Sequence, residues 1–298
     1  MDIKTYLSEQ KQIVDAGLNT FMLEATGPFA RHIEAMRYSL FAGGKRIRPI
    51  LCLAAAEAIT PSSEKATALL PVACALECIH TYSLIHDDLP ALDDDELRRG
   101  KATNHVLYGE AQAILAGDSL LTWAFDLITN REHNTLTAEQ LLDIVHIVSR
   151  AAGPLGMAGG QSLDIAYENT DYPFTTLQTI HKNKTGALIT CSVQAGAIGA
   201  GASPEETAAL IHYGEQIGLA FQIVDDLLDA TSTTEQLGKS AGSDATRGKA
   251  TYPAFFGIKL TRQKAQDAVA QAIEALKDFD KKADPLRDLA HYIYTRSN

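Results

Sequence analysis

The chain has 298 residues, 46% of them hydrophobic, enough for a substantial core in one unit or in two of about 150 residues. Its formal charge of −11, from 26 basic and 37 acidic residues, argues against nucleic acid as a general partner, since phosphate backbones call for a basic surface. Cys52, Cys74, Cys78 and Cys191 show no paired zinc spacing, and the expected setting is reducing and cytoplasmic.

The chain opens Met1-Asp2-Ile3-Lys4-Thr5, without the basic-then-apolar pattern of a signal peptide. No uncharged apolar run reaches the ~20 residues that span a bilayer, so stable membrane insertion is not expected. Gly43-Gly44 marks a break. Between Glu64 and Ile85, the residues Leu69, Val72, Ala73, Leu76, Ile79 and Leu84 recur at helical spacing, which predicts a helix. Cys74 and Cys78 lie one turn apart in that run and read as small buried side chains. Further helices are predicted over 105–129, 137–150, 174–199, 204–230 and 251–278. They are separated by breaks that include Gly153-Pro154, Tyr172-Pro173 and Ser203-Pro204. Ser203 is placed to cap the helix that Pro204 opens, with Glu205 and Glu206 at its positive end. Residues 231–250, rich in Thr, Ser, Gly and Lys, predict a mobile surface loop. No series of alternating strands and no low-complexity linker is evident, so a single all-α domain over 1–298 is expected.

Two aspartate clusters stand out, Asp87-Asp88-Leu-Pro-Ala-Leu-Asp93 and Asp225-Asp226-Leu-Leu-Asp229. Paired carboxylates on apolar helices repel one another and lose solvation, so they call for a compensating charge. Oxygen ligands suit Mg²⁺, which keeps waters and bridges to substrate phosphates. A helix stacks Asp225 and Asp229 on one face, with Asp226 flanking them near a helix C-terminus, where the dipole disfavours negative charge. Asp87 and Asp93 are interrupted by Pro90, so a local turn has to bring them together. Either cluster alone would pass for a solvated acidic helix end; two of them with basic companions point to a metal-held polyphosphate.

The basic companions are spread along the chain. In Gly43-Gly44-Lys45-Arg46-Ile47-Arg48-Pro49, Lys45 and Arg48 can meet one anion if a helix starts there, or form a solvated basic face. This is no nucleotide-binding loop: Arg46 stands where Ser or Thr is needed, and Gly238-Lys239-Ser240 lacks the upstream glycine, having Thr233 instead. Arg98 and Arg99 either pair with the acids before them or face phosphate. His80, Lys184, Thr185 and Gln222 put polar groups on apolar helices, where they either satisfy local hydrogen bonds or meet a charged substrate. Lys239 and Lys249 are either solvated loop lysines or parts of a closing loop.

These parts, in this order and over essentially the whole chain, resemble the short-chain trans-isoprenyl diphosphate synthases, most closely the bacterial farnesyl diphosphate synthases. The matching segments include Gly-Gly-Lys45-Arg-Ile-Arg48-Pro, His80-Thr-Tyr82-Ser83-Leu-Ile-His-Asp87-Asp88, Arg98-Arg99 and Gly156-Met-Ala-Gly-Gly-Gln161. Lys184-Thr185, Phe221-Gln222-Ile-Val-Asp225-Asp226 and Lys249-Ala-Thr-Tyr-Pro complete the set. The resemblance implies an isoprenoid-synthase helical bundle with a deep central cavity, working as a homodimer on small-molecule diphosphates. It implies Mg²⁺, three ions with substrate bound and Mn²⁺ as an alternative. Asp87, Asp93 and Asp225 match direct ligands, while Asp88, Asp226 and Asp229 match positions acting partly through water or neighbouring bonds. Arg98, Lys184 and Lys239 match groups on the allylic diphosphate; Lys45, Arg48, His80 and Arg99 match the isopentenyl diphosphate site, and Lys249 joins the phosphate cluster. Thr185, Gln222 and the Lys184 carbonyl match positions that stabilise the allylic cation, with released pyrophosphate taking the proton.

Tyr82 and Ser83 precede Asp87 on the helix leading into the site, and there they resemble the cavity floor of enzymes that stop at C15. Farnesyl diphosphate is therefore the expected product, with geranyl or geranylgeranyl diphosphate synthases sharing the same site above another floor. A terpene cyclase would lack the second aspartate arrangement and the Lys45/Arg48 site. A non-catalytic partner subunit would normally have lost part of one motif, and both are intact. The ending Tyr294-Thr-Arg296-Ser-Asn298 carries less positive charge than many relatives, which argues against tail-assisted closure.

Overall fold

The computed structural model describes residues 2–60, 68–231 and 250–295. Most of the predicted loop 231–250, including Lys239 and Lys249, and the final residues 296–298 lie outside that range. The described residues form an almost wholly helical bundle. The chain begins with α1 (Ile3–Phe21), a short 3₁₀ turn, α2 (Ala30–Leu40) and α3 (Ile47–Ile59). The predicted helix ending at the first aspartates is α4 (Leu70–Asp87). It is buried on nearly every face, as an all-round apolar sequence requires.

After α4 the chain makes a two-strand hairpin, β1 (Leu97–Arg98) and β2 (Lys101–Ala102), which the sequence had not suggested. Arg99 and Gly100 form its two-residue turn, both at positive φ (54° and 73°), the conformation that suits the twist of so short a hairpin. The run predicted over 105–129 is split into α5 (Asn104–Tyr108) and α6 (Glu110–Thr129) by Gly109, whose φ of 88° no helix accommodates. Next come α7 (Ala138–Ala152), opened by a Thr137–Gln140 capping box, and α8 (Met157–Ala166). Together, residues 138–166 are apolar and long enough to cross a membrane by composition, yet they are two helices, and Leu141, Ile144 and Val148 are buried in the core.

The run predicted over 174–199 is continuous but not uniformly α: α9 (Phe174–His181) passes into a π turn, Lys182–Gly186, and then into α10 (Ala187–Ala200). In α11 (Pro204–Thr231) the expected cap is present, with the Glu206 N–H donating to Ser203 Oγ at 3.2 Å and the Ser203 N–H to Glu206 Oε2 at 2.8 Å. Then α12 (Tyr252–Ala275), kinked at Gly257, and α13 (Asp284–Thr295) close the bundle.

Two packing details position the site. The Gly160 Cα lies so close to the Lys184 backbone nitrogen that a side chain there would collide with it, which seats the π turn against α8. Likewise, a Cβ on Gly218 would come within 2.9 Å of the Gly186 Cα, so α11 presses on the other end of that turn. Arg46 anchors the start of α3. It is 3% exposed and adopts a left-handed conformation, and its guanidinium reaches Asp15 at 2.8 Å, Glu77 at 2.7 Å and the Leu40 carbonyl at 2.8 Å.

Candidate active site

A cavity of about 410 Å³ opens among α3, α4, α8, the π turn and α11. Arg48, His80, Tyr82, Ser83, Asp87, Lys184, Thr185, Gln222 and Asp225 all line it, together with Met157, Gln161 and Phe221. Residues drawn from five separate stretches of sequence thus converge on one space.

The first cluster is folded by a tight turn. The Asp93 N–H donates to the Asp87 carbonyl at 2.8 Å, the Leu92 N–H to the Leu89 carbonyl at 2.8 Å, and the Asp94 N–H to the same Leu89 carbonyl at 3.1 Å. This is the turn that Pro90 made necessary. Burial pushes the Asp87 carboxyl up to about 6, against the pull of Lys184 and helped by repulsion from Asp93. Asp88 points elsewhere. It is 3% exposed and gripped by Arg98, at 2.6 Å from Nη2 and at 2.7 and 2.9 Å from Nε. Of the two arrangements open to Arg98, pairing with a preceding acid is therefore present.

The second cluster divides in the same way. Asp225 lines the cavity, whereas the Asp226 carboxylate accepts the Tyr252 N–H at 2.8 Å and lies 4.0 Å from His181 Nε2. Asp226 thus ties α11 to the start of α12, and Asp229 is buried one turn further on. The first cluster begins at the end of α4, where the dipole adds to the need for positive charge, whereas Asp225, Asp226 and Asp229 lie within α11.

On the cationic side, helix α3 begins at Ile47, so Lys45 lies before it and is exposed, and only Arg48 of that pair lines the cavity. Arg48 Nε is buried without a hydrogen bond, and burial, opposed by Glu77 and reinforced by Arg99, pushes the guanidinium down to about 10. It remains charged at neutral pH, an unsatisfied donor facing an anion-sized space. Arg99, at the hairpin tip, donates to the Gly43 carbonyl. Gly44 gives it room, since a Cβ there would lie 2.7 Å from Arg99 Nη1. Burial and the cations Arg48, Arg99 and Arg98 hold the His80 imidazole well below its ordinary value, hence neutral. Lys184 Nζ pairs with Asp164 at 2.7 Å.

Asp164, Glu77 and Arg46 escaped the sequence reading. Glu77 carried a signal: it is the one acid inside the apolar run of α4, it is 1% exposed, and a buried carboxylate demands a cation.

A match to the polyprenyl synthetase family extends over residues 30–291. The chain belongs to that family. It is 47% identical over 298 residues to a geranylgeranyl diphosphate synthase of Cyanophora paradoxa, spanning 100% of this chain and 97% of the relative. To the farnesyl diphosphate synthase of Geobacillus stearothermophilus it is 42% identical, over 100% and 99% of the two chains. The fold superposes on an FPP/GFPP synthase from Zymomonas mobilis with a TM-score of 0.87 and 36% identity, covering 99% of each chain. This polyprenyl synthetase is accordingly a catalytic prenyltransferase that lengthens prenyl chains head to tail with Mg²⁺.

The donors present fit that metal. Among the described residues, no group of three or more His, Cys, Asp or Glu side chains is drawn together as a ready cage. Mg²⁺ does not require one, because it is held by one or two carboxylates, waters and substrate phosphate. Asp87 and Asp225, on two helices that line one cavity, would offer it carboxylate oxygens, and the raised Asp87 carboxyl is the response expected where a counter-cation belongs.

Proposed function

We propose that this polyprenyl synthetase makes farnesyl diphosphate, adding isopentenyl diphosphate to dimethylallyl and then to geranyl diphosphate. The supporting observation is the floor beneath Asp87. Tyr82 is 9% exposed, lines the cavity and packs edge-on against His86 with ring centroids 5.7 Å apart. Ser83 folds its hydroxyl back onto the His80 carbonyl at 2.9 Å, leaving space beside the ring. A tail growing past the small Ser83 meets the tyrosine.

Asp87, Asp93 and Asp225 would hold Mg²⁺, which supplies charge to the departing diphosphate. Lys184 faces the same allylic diphosphate, and Asp88 keeps Arg98 oriented beside it. Arg48, Arg99 and Lys45 bind the isopentenyl diphosphate, next to a His80 that stays neutral and donates no extra charge. As the allylic C–O bond breaks, its electron pair leaves with pyrophosphate. Thr185, Gln222 and the Lys184 carbonyl face the resulting cation. The isopentenyl double bond then forms the new C–C bond, and a proton passes to pyrophosphate, so no protein nucleophile is used. Lys239 and Lys249 are proposed to complete the phosphate cluster, and Asp226 and Asp229 to support Asp225.

A geranylgeranyl product is the second reading, favoured by the higher identity to the Cyanophora relative than to the Geobacillus one. Mass analysis of products from purified protein, Mg²⁺, isopentenyl diphosphate and dimethylallyl diphosphate decides between them. A dominant C15 diphosphate is expected. A C20 product would replace the farnesyl reading with the second one, and a folded protein without condensation would point to a partner-dependent subunit.

We also propose a homodimer, joined through α5 and α6. Val106, Leu107, Ile114 and Leu115 are 49%, 50%, 44% and 54% exposed there, four large apolar side chains on two consecutive helices.

A further inference from the structure

Helices α7, α9, α10 and α11 flank a second, half-open cavity of about 670 Å³, larger than the diphosphate cavity. The two share no lining residue, and the partition between them is the π turn. Lys182, Asn183 and Gly186 of that turn face the second cavity, while Lys184 and Thr185 face the first. A π turn is a local departure from the regular helical ladder, and such turns recur at functional sites.

The chemistry of the second cavity is two-sided. Ile147, Ala151, Ala187, Cys191 and Leu219 give it an apolar wall. Arg150 and Lys182 both line it, and neither makes an ion pair with a described residue. Arg150 stands in the last turn of α7, where the dipole favours a cation, whereas Lys182 lies inside the continuous run of α9, π turn and α10; both are exposed at the rim of the cavity. His181 lines it as well, with a buried Nδ1 that has no hydrogen-bond partner. Glu215 supplies the opposing carboxylate, so two cations against one acid leave a single net positive charge, which suits a monoanion better than a diphosphate.

We propose that this second cavity is an effector site for an amphipathic monoanion, acting on turnover through the π turn that carries Lys184 and Thr185. A ligand seated there touches Lys182, Asn183 and Gly186 directly, and any shift of that turn moves the two residues facing the reacting diphosphate. The proposal rests on the prenyl-transfer site as assigned above and is independent of product length.

The probe is 8-anilinonaphthalene-1-sulfonate, a fluorescent amphipathic monoanion, titrated into the full chain with Mg²⁺ and saturating pyrophosphate so that the first cavity is filled. Saturable binding is expected, weakened about tenfold by the double charge reversal Arg150→Glu/Lys182→Glu. Gln194→Trp, which fills the cavity without altering its charge, should abolish it. In the condensation assay the dye should change kcat of the wild type but not of Gln194→Trp, and leave KM for isopentenyl diphosphate unaltered. Binding that ignores both variants, or competes with the allylic substrate, would overturn the site. Binding lost in both variants but without effect on wild-type kcat would overturn the coupling. A protein that binds the dye but performs no condensation at all would instead count against the prenyl-transfer reading.

Discussion

Asp87 is under electrostatic conflict, with burial and Asp93 both disfavouring its charge. Its folded-state value of about 6 lies above the ordinary 3.8, so between these two pH values the folded chain holds a proton that the unfolded chain has lost. Stability without metal should therefore fall as pH rises from about 4 through 6, by on the order of 3 kcal/mol at most. Mg²⁺ favours the ionised form and should flatten that slope. Thermal melts at pH 5 and pH 7, with and without Mg²⁺, check this; parallel slopes would count against Asp87 as a ligand. Ser83 offers a second test at this scale. Its hydroxyl is folded against the helix, so Ser83→Phe would put a ring in the path proposed for the tail, and C10 product should rise at the expense of C15. An unaltered product profile would remove Ser83 from the wall.

At the level of elements, α3 and α4 are joined by a buried pair, Arg46 with Glu77, backed by Asp15. Removing one partner leaves the other charge uncompensated in the core, so Glu77→Leu should cost about 3–5 kcal/mol in chemical denaturation. Adding Arg46→Leu should recover much of that loss, and a double variant no better than the single would contradict the pairing. The same contact shows where sequence reading stops. Asp87, Asp225, Arg48 and His80 were legible because acids, cations and polar groups on apolar helices have few ordinary explanations. Asp88 and Asp226 carry the same signal, but Arg98 reaches Asp88 from a hairpin that no periodicity foretold, and the predicted helix start at Tyr252 gave no sign that its N–H would bind Asp226. The π turn was hidden too. Its sequence, Lys-Asn-Lys-Thr-Gly, contains no strong breaker, and its form is imposed by close backbone contact with Gly160 and Gly218.

Across the whole molecule, the proposed function asks the bundle to gather two features around one reacting centre: a polar rim to hold diphosphates and an apolar depth to stop the chain. The all-α class and the outlines of α4, α7, α11 and α12 followed from apolar spacing and from caps such as Ser203, whereas α1, α2, α8 and α13 were not predicted and the breaks at Gly109 and Gly257 depend on positive φ values that composition does not reveal. If α5 and α6 join two copies, Ile114→Asp/Leu115→Asp should elute as a monomer in size-exclusion chromatography while the wild type elutes as a dimer; identical elution would contradict the assignment. The account turns most on Tyr82 as the floor of the cavity. The direct measurement is the product distribution of Tyr82→Ala beside the wild type, read by mass with dimethylallyl and isopentenyl diphosphates. The account predicts that C20 diphosphate appears and C15 recedes while condensation continues; a variant that still stops at C15 would contradict it.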